Sequence, residues 1–282
     1  MIIRLILFSF FSLKTVFSGG FFCKIENVRK VAPTVCCEGR ITMLITTTLI
    51  LLFLLIYSAG ATLFIRIFEI GICKRGNKTA EKMIALTFDD GPDPLYTPLL
   101  LDLLDQHGAK ATFFLVGEKA RAHPDIVRMI HKKGHTIGLH NDIHRSNWFF
   151  LPFAFKKQLI RAQTALKEIT GELPLYYRPP WGHFNLFTLR DAKPLRIIMW
   201  TAIPGDWKEQ VQPAVLAGKL LKERKSGAII TLHDSGTTFG ADEHAPANTL
   251  KALEIFFADE GSTHYQFVTV DTLLQASRRS KQ

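Results

Sequence analysis

The chain has 282 residues, of which 47% are hydrophobic, and a formal net charge of +10. Lys and Arg exceed Asp and Glu by 7 in residues 1–82 but by only 3 in residues 83–282. A nucleic-acid-binding domain carries a concentrated basic patch, and this distribution argues against one. It favours a medium-sized domain preceded by an apolar, basic segment that would stay close to an anionic membrane or wall polymer.

The N-terminal 42 residues are difficult to interpret as a folded segment. They contain an apolar stretch broken by charged residues, and Met43 is a more natural start for the chain. In a bacterial source, residues 38–40 can be encoded by a purine-rich run where a ribosome-binding site would lie. We expect residues 1–42 to be untranslated upstream sequence or, if they are translated, a first hydrophobic anchor.

Residues 43–65 predict a membrane-spanning helix. This stretch of 23 residues contains no charged side chain, and about 20 apolar residues suffice to cross a bilayer. A core helix of a soluble protein would show a polar face, whereas only scattered Thr and Ser occur here. We predict a transmembrane or signal-anchor helix followed by a linker over residues 66–82, with cleavage after the small residues 58–61 as the alternative.

Strand-like apolar runs alternate with helical patterns after residue 82. Seven runs predict strands at residues 83–88, 111–116, 136–140, 175–178, 196–201, 228–233 and 266–270. Helical patterns between them include residues 98–107, 124–133, 155–170 and 248–260. This alternation predicts an α/β domain at residues 83–275 with a parallel sheet and right-handed crossovers, followed by a basic tail at residues 276–282.

Two adjacent carboxylates and a histidine pair suggest a metal site. Asp89 and Asp90 follow the first apolar run of the domain, and His140 and His144 lie downstream. Taken singly, Asp-Asp before Gly-Pro is usually a turn, and such a histidine pair is often ordinary polar surface or core. Together, one carboxylate and two imidazoles leave a fourth position open for water on a catalytic zinc-type ion. The second carboxylate would be free to act as a base.

Three more polar motifs also follow apolar runs. They are Arg178-Pro179-Pro180-Trp181-Gly182, Asp206-Trp207 and His233-Asp234. Polar groups at the carboxyl ends of strands suggest the mouth of a barrel, where such folds gather their active sites. Without further context, Arg178 could equally form a surface ion pair, and Trp207 could be simple core.

The motifs, opened by Thr87-Phe88-Asp89-Asp90-Gly91, resemble in kind and order those of the NodB-homology polysaccharide deacetylases, carbohydrate esterase family 4. The resemblance covers about residues 83–275. It implies a distorted (β/α)7-type barrel and a hydrolase that removes N-acetyl, occasionally O-acetyl, groups from amino-sugar polymers. It also implies a divalent metal, usually zinc, with cobalt or nickel as alternatives.

The same resemblance assigns roles to individual residues. Asp90, His140 and His144 would hold the ion, Asp89 would be the general base and His233 the general acid. Amide hydrolysis needs both, because water must lose a proton and the departing amine must gain one.

Further positions are matched to supporting roles. Arg178 would pair with the base, Trp181 would offer a backbone N–H to the oxyanion, and Asp206 would orient the acid histidine and raise its proton affinity. Trp207 would pack beside that histidine. We also expect Pro180, Trp181 and Trp207 to contact the substrate.

The chain departs from the family pattern at three positions. Asn141 replaces a common Ser or Thr, Ile203 replaces an Asp, and Thr231 replaces a frequent Leu. None of these changes removes a metal ligand, the base or the acid. We expect Asn141 and Ile203 to affect substrate preference near the cleft.

Residues 147–155 follow the metal histidines and contain five aromatic side chains. One interpretation is an interfacial loop that dips toward lipid, with Trp and Lys at the headgroup level. The alternative is a loop packed on the barrel.

Three functions are compatible with these features. The leading one is deacetylation of N-acetylglucosamine units in peptidoglycan, chitin-type oligomers or a related surface glycan. The second is deacetylation of a lipid-linked glycan, for which the aromatic segment is the distinguishing feature. The third is a carbohydrate-binding protein that has lost catalysis, against which the complete set of metal, base and acid residues argues.

The flanking charges give opposing signals about orientation. Basic residues after the apolar helix favour a cytoplasmic catalytic domain, whereas those before it, if translated, favour a cytoplasmic N-terminus. Family members with one N-terminal anchor usually work outside the membrane, so we expect a single-pass protein with an extracytoplasmic catalytic domain. All four cysteines precede residue 83, so that domain needs no disulfide.

Overall fold

The structure is a computed structural model that describes residues 32–77 and 82–279. The chain divides into two compact units, residues 1–52 and 53–282. Most of the segment expected to be untranslated, residues 1–31, lies outside the described residues. The second unit contains all the motifs singled out above and is called the catalytic unit below.

The catalytic unit is built on a sheet of parallel strands. These are β1 Ile72–Cys73, β2 Met83–Asp89, β3 Thr112–Leu115, β4 Thr136–Leu139, β5 Tyr176–Tyr177, β6 Arg196–Ile198, β7 Ile229–His233 and β8 Gln266–Phe267. Their order is β1-β6-β5-β4-β3-β2-β7, and β8 pairs with β2. A parallel bridge between Ala202 and Ile230 joins the chain after β6 to β7. The predicted distorted (β/α) barrel is therefore confirmed, and all seven predicted strands are present with ends shifted by at most three residues.

Helices connect and cover these strands. The described helices are α1 Ala32–Leu55, α2 Ala61–Phe68, α3 Tyr96–Gln106, α4 Gly117–Ala122, α5 Pro124–Lys132, α6 Pro152–Thr170, α7 Thr188–Asp191, α8 Pro213–Lys222, α9 Ala245–Ala258 and α10 Val270–Arg279. Short 3-10 turns lie at Asn147–Phe149, Pro180–Gly182 and Glu260–His264. All seven residues of β2 are buried, as expected for a parallel strand between the barrel interior and the surrounding helices.

The ends of the predicted domain need correction. Strand β1 pairs in parallel with β6 through Ile72–Ile197 and Cys73–Ile198, so part of the expected linker is in the sheet. A two-residue strand has no detectable alternation, which is why the sequence did not predict it. At the other end, α10 includes residues 276–279 of the expected basic tail.

The apolar helix is longer than predicted and is joined to the catalytic unit. Residues Arg40–Phe68 form a helical stretch that is long and apolar enough, by length and composition, to cross a membrane. It comprises part of α1, a π-helical turn at Ile56–Gly60, and α2. Side chains up to Ile56 are exposed, whereas Tyr57, Ala61 and Ile65 are buried in the catalytic unit.

Thr62 fixes α2 to two loops of the barrel. Its hydroxyl donates to the Phe184 carbonyl (2.9 Å) and accepts from Trp148 Nε1 (2.8 Å) and from the Phe184 N–H (2.9 Å). The end of the apolar helix is therefore a structural element of the barrel and not a separate anchor joined by a tether.

We expect Thr62→Val to lower the free energy of unfolding by about 1–3 kcal/mol, because it leaves buried polar groups without partners in a nearly isosteric site. Denaturant or thermal unfolding of the detergent-solubilised chain measures the change. Thr47→Val is the matched control, since the Thr47 hydroxyl is exposed and bonds only to the Met43 carbonyl of its own helix. Equal stability of the two variants would contradict this role for Thr62.

Candidate active site

Three predicted metal ligands meet at the carboxyl ends of β2 and β4. The ligand atoms of Asp90, His140 and His144 all lie within 4.8 Å of one another. Asp90 Oδ1 is 3.2 Å from His140 Nε2 and 3.1 Å from His144 Nε2. Asp90 immediately follows β2 and His140 immediately follows β4, so adjacent ladders of the sheet set this spacing.

The hydrogen bonding around His140 fits a bound cation. His140 Nδ1 lies 2.8 Å from the Arg178 carbonyl oxygen, which can only accept, so Nδ1 carries the proton of the neutral ring. His140 Nε2 then directs a lone pair toward the Asp90 carboxylate. The lone pairs of His140 Nε2 and Asp90 Oδ1 thus face each other, as two ligands of a divalent ion such as zinc do. A backbone carbonyl is the usual hydrogen-bond partner of the other ring nitrogen of a ligating histidine.

The protonation of the other two ligands suits the same role. Burial lowers the pKa of His144, although Asp90 opposes this effect, and the neutral imidazole is the form that binds metals. Burial alone would raise the pKa of Asp90, but contacts with His140 and His144 hold it well below its usual value.

Two residues that the sequence analysis missed support Asp90. Thr238 Oγ1 donates to Asp90 Oδ2 (2.5 Å), which leaves Oδ1 facing the histidines. Lys119 Nζ donates to the Asp90 carbonyl (2.8 Å) and to Ser235 Oγ (2.8 Å). Neither residue belongs to a recognisable motif, and only the fold brings residues 119 and 238 to position 90.

The predicted base is held by a buried cation. Arg178 is fully buried and donates from Nη1 to Asp89 Oδ1 (2.7 Å) and to Thr87 Oγ1 (2.8 Å). Its remaining nitrogens donate to the carbonyls of Ile198 (3.1 Å) and Met199 (3.3 Å). The guanidinium and the carboxylate are each other's counter-charge, and this buried pair fixes the position of the Asp89 side chain.

The predicted acid is held by Asp206. His233 Nδ1 donates to Asp206 Oδ1 (2.9 Å), and the His233 backbone N–H donates to Asp206 Oδ2 (2.7 Å). Burial lowers the pKa of His233, but the carboxylate of Asp206, with smaller effects from Asp90 and Asp89, raises it to about 10. The imidazole is therefore protonated at neutral pH.

These groups line one cavity of about 240 Å³. Asp89, Asp90, His140, His144 and His233 form its polar part. Its other lining residues are mainly aromatic or apolar and include Trp181, Trp200, Ile203, Trp207, Thr238 and Phe239. Both predicted tryptophan contacts thus face the cavity, whereas Pro180 is buried and does not line it. The contact of Pro180 with the substrate stays a prediction.

The backbone is strained around the cavity. The structure describes four non-glycine residues with positive φ, and three of them, Asp90 (76°), Asn141 (63°) and Trp181 (54°), lie at or next to the site. Such conformations cost energy and persist where surrounding contacts enforce them, often at functional sites.

The departures from the family pattern have different structural consequences. Asn141 is fully buried, donates to the Arg145 carbonyl and to Asn147 Oδ1 (3.0 Å each), and accepts from the Tyr177 hydroxyl (2.9 Å). It shapes the loop beside the cavity and is not among the residues that line it. Its effect on substrate preference stays a prediction. Ile203 does line the cavity. Thr231 is a buried residue of β7.

The aromatic segment combines features of both interpretations. Phe150 and Phe155 are buried, and Trp148 bonds to Thr62, as a packed segment requires. Phe149 and Phe153 are 68% and 91% exposed, as an interfacial segment requires.

Comparisons with known proteins agree with this fold. The polysaccharide deacetylase family model matches residues 76–200. A peptidoglycan-N-acetylglucosamine deacetylase of Bacillus cereus is 36% identical over 203 residues, which are 69% of this chain and 89% of that protein. The peptidoglycan-N-acetylmuramic acid deacetylase PdaC of Bacillus subtilis is 32% identical over 200 residues, 71% of this chain and 40% of that protein. A crystal structure of a peptidoglycan N-acetylglucosamine deacetylase superposes with a TM-score of 0.67 at 29% identity, covering 75% of this chain and 96% of that one.

A parallel (β/α) barrel with carboxylates and histidines at its mouth is typical of hydrolases that act on carbohydrates. The chain belongs to the NodB-homology polysaccharide deacetylases, carbohydrate esterase family 4. It is a glycan deacetylase, a hydrolase that acts on carbon–nitrogen bonds other than peptide bonds.

We expect Thr238→Val to weaken zinc binding by about 10-fold to 100-fold, the usual cost of removing a partner that orients a metal ligand. Titration against a chromophoric chelator measures the affinity without reference to activity. The matched control is Thr237→Val, since the Thr237 hydroxyl pairs with Ser235 and does not reach Asp90. Equal zinc affinities of the two variants would rule out this role for Thr238.

Proposed function

We propose that this protein is a metal-dependent deacetylase that removes N-acetyl groups from N-acetylglucosamine units of peptidoglycan or a related surface glycan. The observation that carries the proposal is the convergence of Asp90, His140 and His144 in a cavity that also holds the Asp89–Arg178 and His233–Asp206 pairs. The substrate class is supported by relatives that are named as peptidoglycan deacetylases.

Asp90, His140 and His144 would hold the ion, for which zinc fits the ligands best and cobalt or nickel are alternatives. When bound, it supplies Lewis acidity toward the acetyl carbonyl and toward water. Asp89 accepts the proton of the attacking water, and its ion pair with the buried guanidinium of Arg178 holds the carboxylate in place at the cavity.

His233 gives a proton to the departing amine nitrogen on the other side of the scissile bond. The Asp206 carboxylate raises its pKa and so favours the protonated ring, and it fixes the ring by binding Nδ1 so that Nε2 is the donor. The Trp181 N–H is the proposed oxyanion donor. The rings of Trp181 and Trp207 would contact the sugar and its acetyl group.

We further propose that the apolar helix anchors the protein in the cell membrane with the catalytic unit outside. Support comes from the length and composition of residues 40–68 and from the wall polymer named for the relatives. A lipid-linked glycan is the second candidate substrate, and exposed Phe149 and Phe153 beside the apolar helix favour it. The complete set of base, acid and ligand residues argues against a non-catalytic binding protein.

We expect Asp206→Asn to move the alkaline limb of the pH–rate profile to lower pH. The acid must be protonated to act, so the rate falls as pH rises through its pKa. Removal of the Asp206 carboxylate lowers that pKa because the partner that stabilised the charged imidazole is lost. Profiles of kcat/KM against pH measure the shift, and Asp102→Asn, an exposed carboxylate on α3, is the control. Coincident profiles would contradict the assigned role.

The main test is acetate release from peptidoglycan and from N-acetylglucosamine oligomers by the detergent-solubilised full chain, with and without chelator and added zinc. Deletion up to residue 80 is unsuitable because residues 57–73 belong to the folded unit. We expect acetate release that requires metal and is lost in Asp90→Ala but retained in Asp102→Ala. Bound zinc with no acetate from either substrate would favour the lipid-linked glycan, and absence of both would support the non-catalytic alternative.

A further inference from the structure

An apolar surface borders the place where the apolar helix enters the catalytic unit. It consists of Phe149, Leu151, Phe153 and Leu186, which are 68%, 72%, 91% and 51% exposed. We call these four residues the apolar rim. A water-exposed cluster of large apolar side chains is unfavourable unless something covers it, and such clusters mark interaction sites.

The rim is held by a rigid base. Phe150 and Phe155 are buried below it, and the Phe150 carbonyl accepts from the Tyr57 hydroxyl (2.5 Å) and from Asn185 Nδ2 (3.2 Å). The Phe187 ring lies 6.0 Å from the Tyr57 ring. Leu186 is between Asn185 and Phe187 in the chain. The loop segments that carry the rim residues are therefore packed around Tyr57 of the helix.

The length of the free helix sets the depth at which this level lies in a bilayer. Residues 41–56 are exposed on all sides and form 16 residues of helix, about 24 Å at the standard rise. The hydrocarbon core of a bilayer is about 30 Å thick and needs about 20 helical residues. A spanning helix that begins at Ile41 would therefore continue about four residues beyond Ile56, which places Tyr57 and the rim where the acyl chains meet the headgroups.

The charge beside the rim matches a negatively charged membrane. Residues 143–167 contain five Lys or Arg and no Asp or Glu. Lys156 and Lys157 follow Phe153 on α6, and the Arg145 guanidinium lies 5.8 Å from the Phe149 ring. Arg161, one turn further along α6, is paired with buried Asp142 (3.1 Å). Apolar and aromatic side chains next to basic ones are typical of segments that lie in the headgroup region of anionic bilayers.

The rim and the catalytic cavity lie on the same side of the catalytic unit. Trp148, adjacent to Phe149, stacks on His183 at 3.9 Å between ring centroids. His183 lies 6.0 Å from Trp181, which lines the cavity. A surface that covers the rim would thus lie close to the mouth of the cavity.

We propose that the apolar rim inserts into the headgroup region of an anionic bilayer and holds the catalytic cavity at the membrane surface. This inference rests on the proposed membrane anchor. The basic residues of α6 bind the lipid headgroups while Phe149, Leu151, Phe153 and Leu186 contact the upper acyl chains. The glycan that reaches the cavity is then one that lies next to the membrane.

The test is photocrosslinking of the full chain in vesicles of phosphatidylcholine and phosphatidylglycerol doped with a diazirine-bearing phosphatidylglycerol. Labelled peptides are mapped by mass spectrometry. We expect labelling in residues 44–56 and in residues 149–160, but not around Val215, which is 56% exposed on α8. Phe149→Ser combined with Phe153→Ser should lower labelling of residues 149–160 by at least several-fold and leave labelling of residues 44–56 unchanged. Both side chains are exposed, so the unfolding temperature should not change.

Each outcome bears on one proposal. Labelling of residues 44–56 without residues 149–160 would overturn the rim proposal and leave the anchor standing. Absence of label from both segments would overturn the anchor and the rim together. Equal labelling of the Val215 region would assign the labelling of the rim to nonspecific contact with lipid and would also overturn the rim proposal. Because none of these readouts depends on acetate release, they are independent of whether the protein deacetylates peptidoglycan.

Discussion

One buried cation organises both halves of the active site. The guanidinium of Arg178 fixes the proposed base Asp89, while the backbone carbonyl of the same residue orients the proposed metal ligand His140. A fully buried charge is costly unless it is paired and its hydrogen bonds are satisfied. Here the counter-charge is Asp89, and Thr87 and the carbonyls of Ile198 and Met199 accept further hydrogen bonds. The position of the base relative to the metal ligands therefore depends on the packing of β2, β5 and β6 around this single side chain.

The second organising feature is the use of an apolar helix as part of the barrel. Tyr57, Thr62 and Ile65 bury their side chains in the catalytic unit, while the opposite face of α2 remains apolar and exposed at Leu63, Phe64 and Ile67. Such a segment would be poorly soluble by itself. Without it, the catalytic unit would be incompletely packed. The strand β1 that follows it completes the sheet beside β6. The end of the apolar helix is consequently part of the packed core of the catalytic unit.

The sequence predicted the barrel well because long buried strands such as residues 83–89 carry a strong apolar signal and helices end at recognisable glycines. The cluster of Asp90, His140 and His144 was also accessible, since each lies directly or shortly after a strand. Three kinds of feature were not accessible. The two-residue strand β1 has no periodicity, and the supporting residues Thr238 and Lys119 reach Asp90 only through tertiary structure. The split of residues 147–155 into buried Phe150 and exposed Phe153 depends on where α2 packs, which no local pattern encodes.

The direct attachment of the helix to the barrel also limits how far the catalytic cavity of a membrane-anchored molecule would reach from the membrane. Many surface enzymes work at the end of a long flexible stalk and sample a thick layer of polymer. In this chain the ordered path from the apolar helix through α2 to β1 leaves no such stalk between Phe53 and Cys73. An anchored molecule could then move sideways in the plane of the membrane but hardly outward. Its substrate would be selected by distance from the membrane as much as by chemistry, which favours glycan at the site of synthesis over glycan in the outer wall.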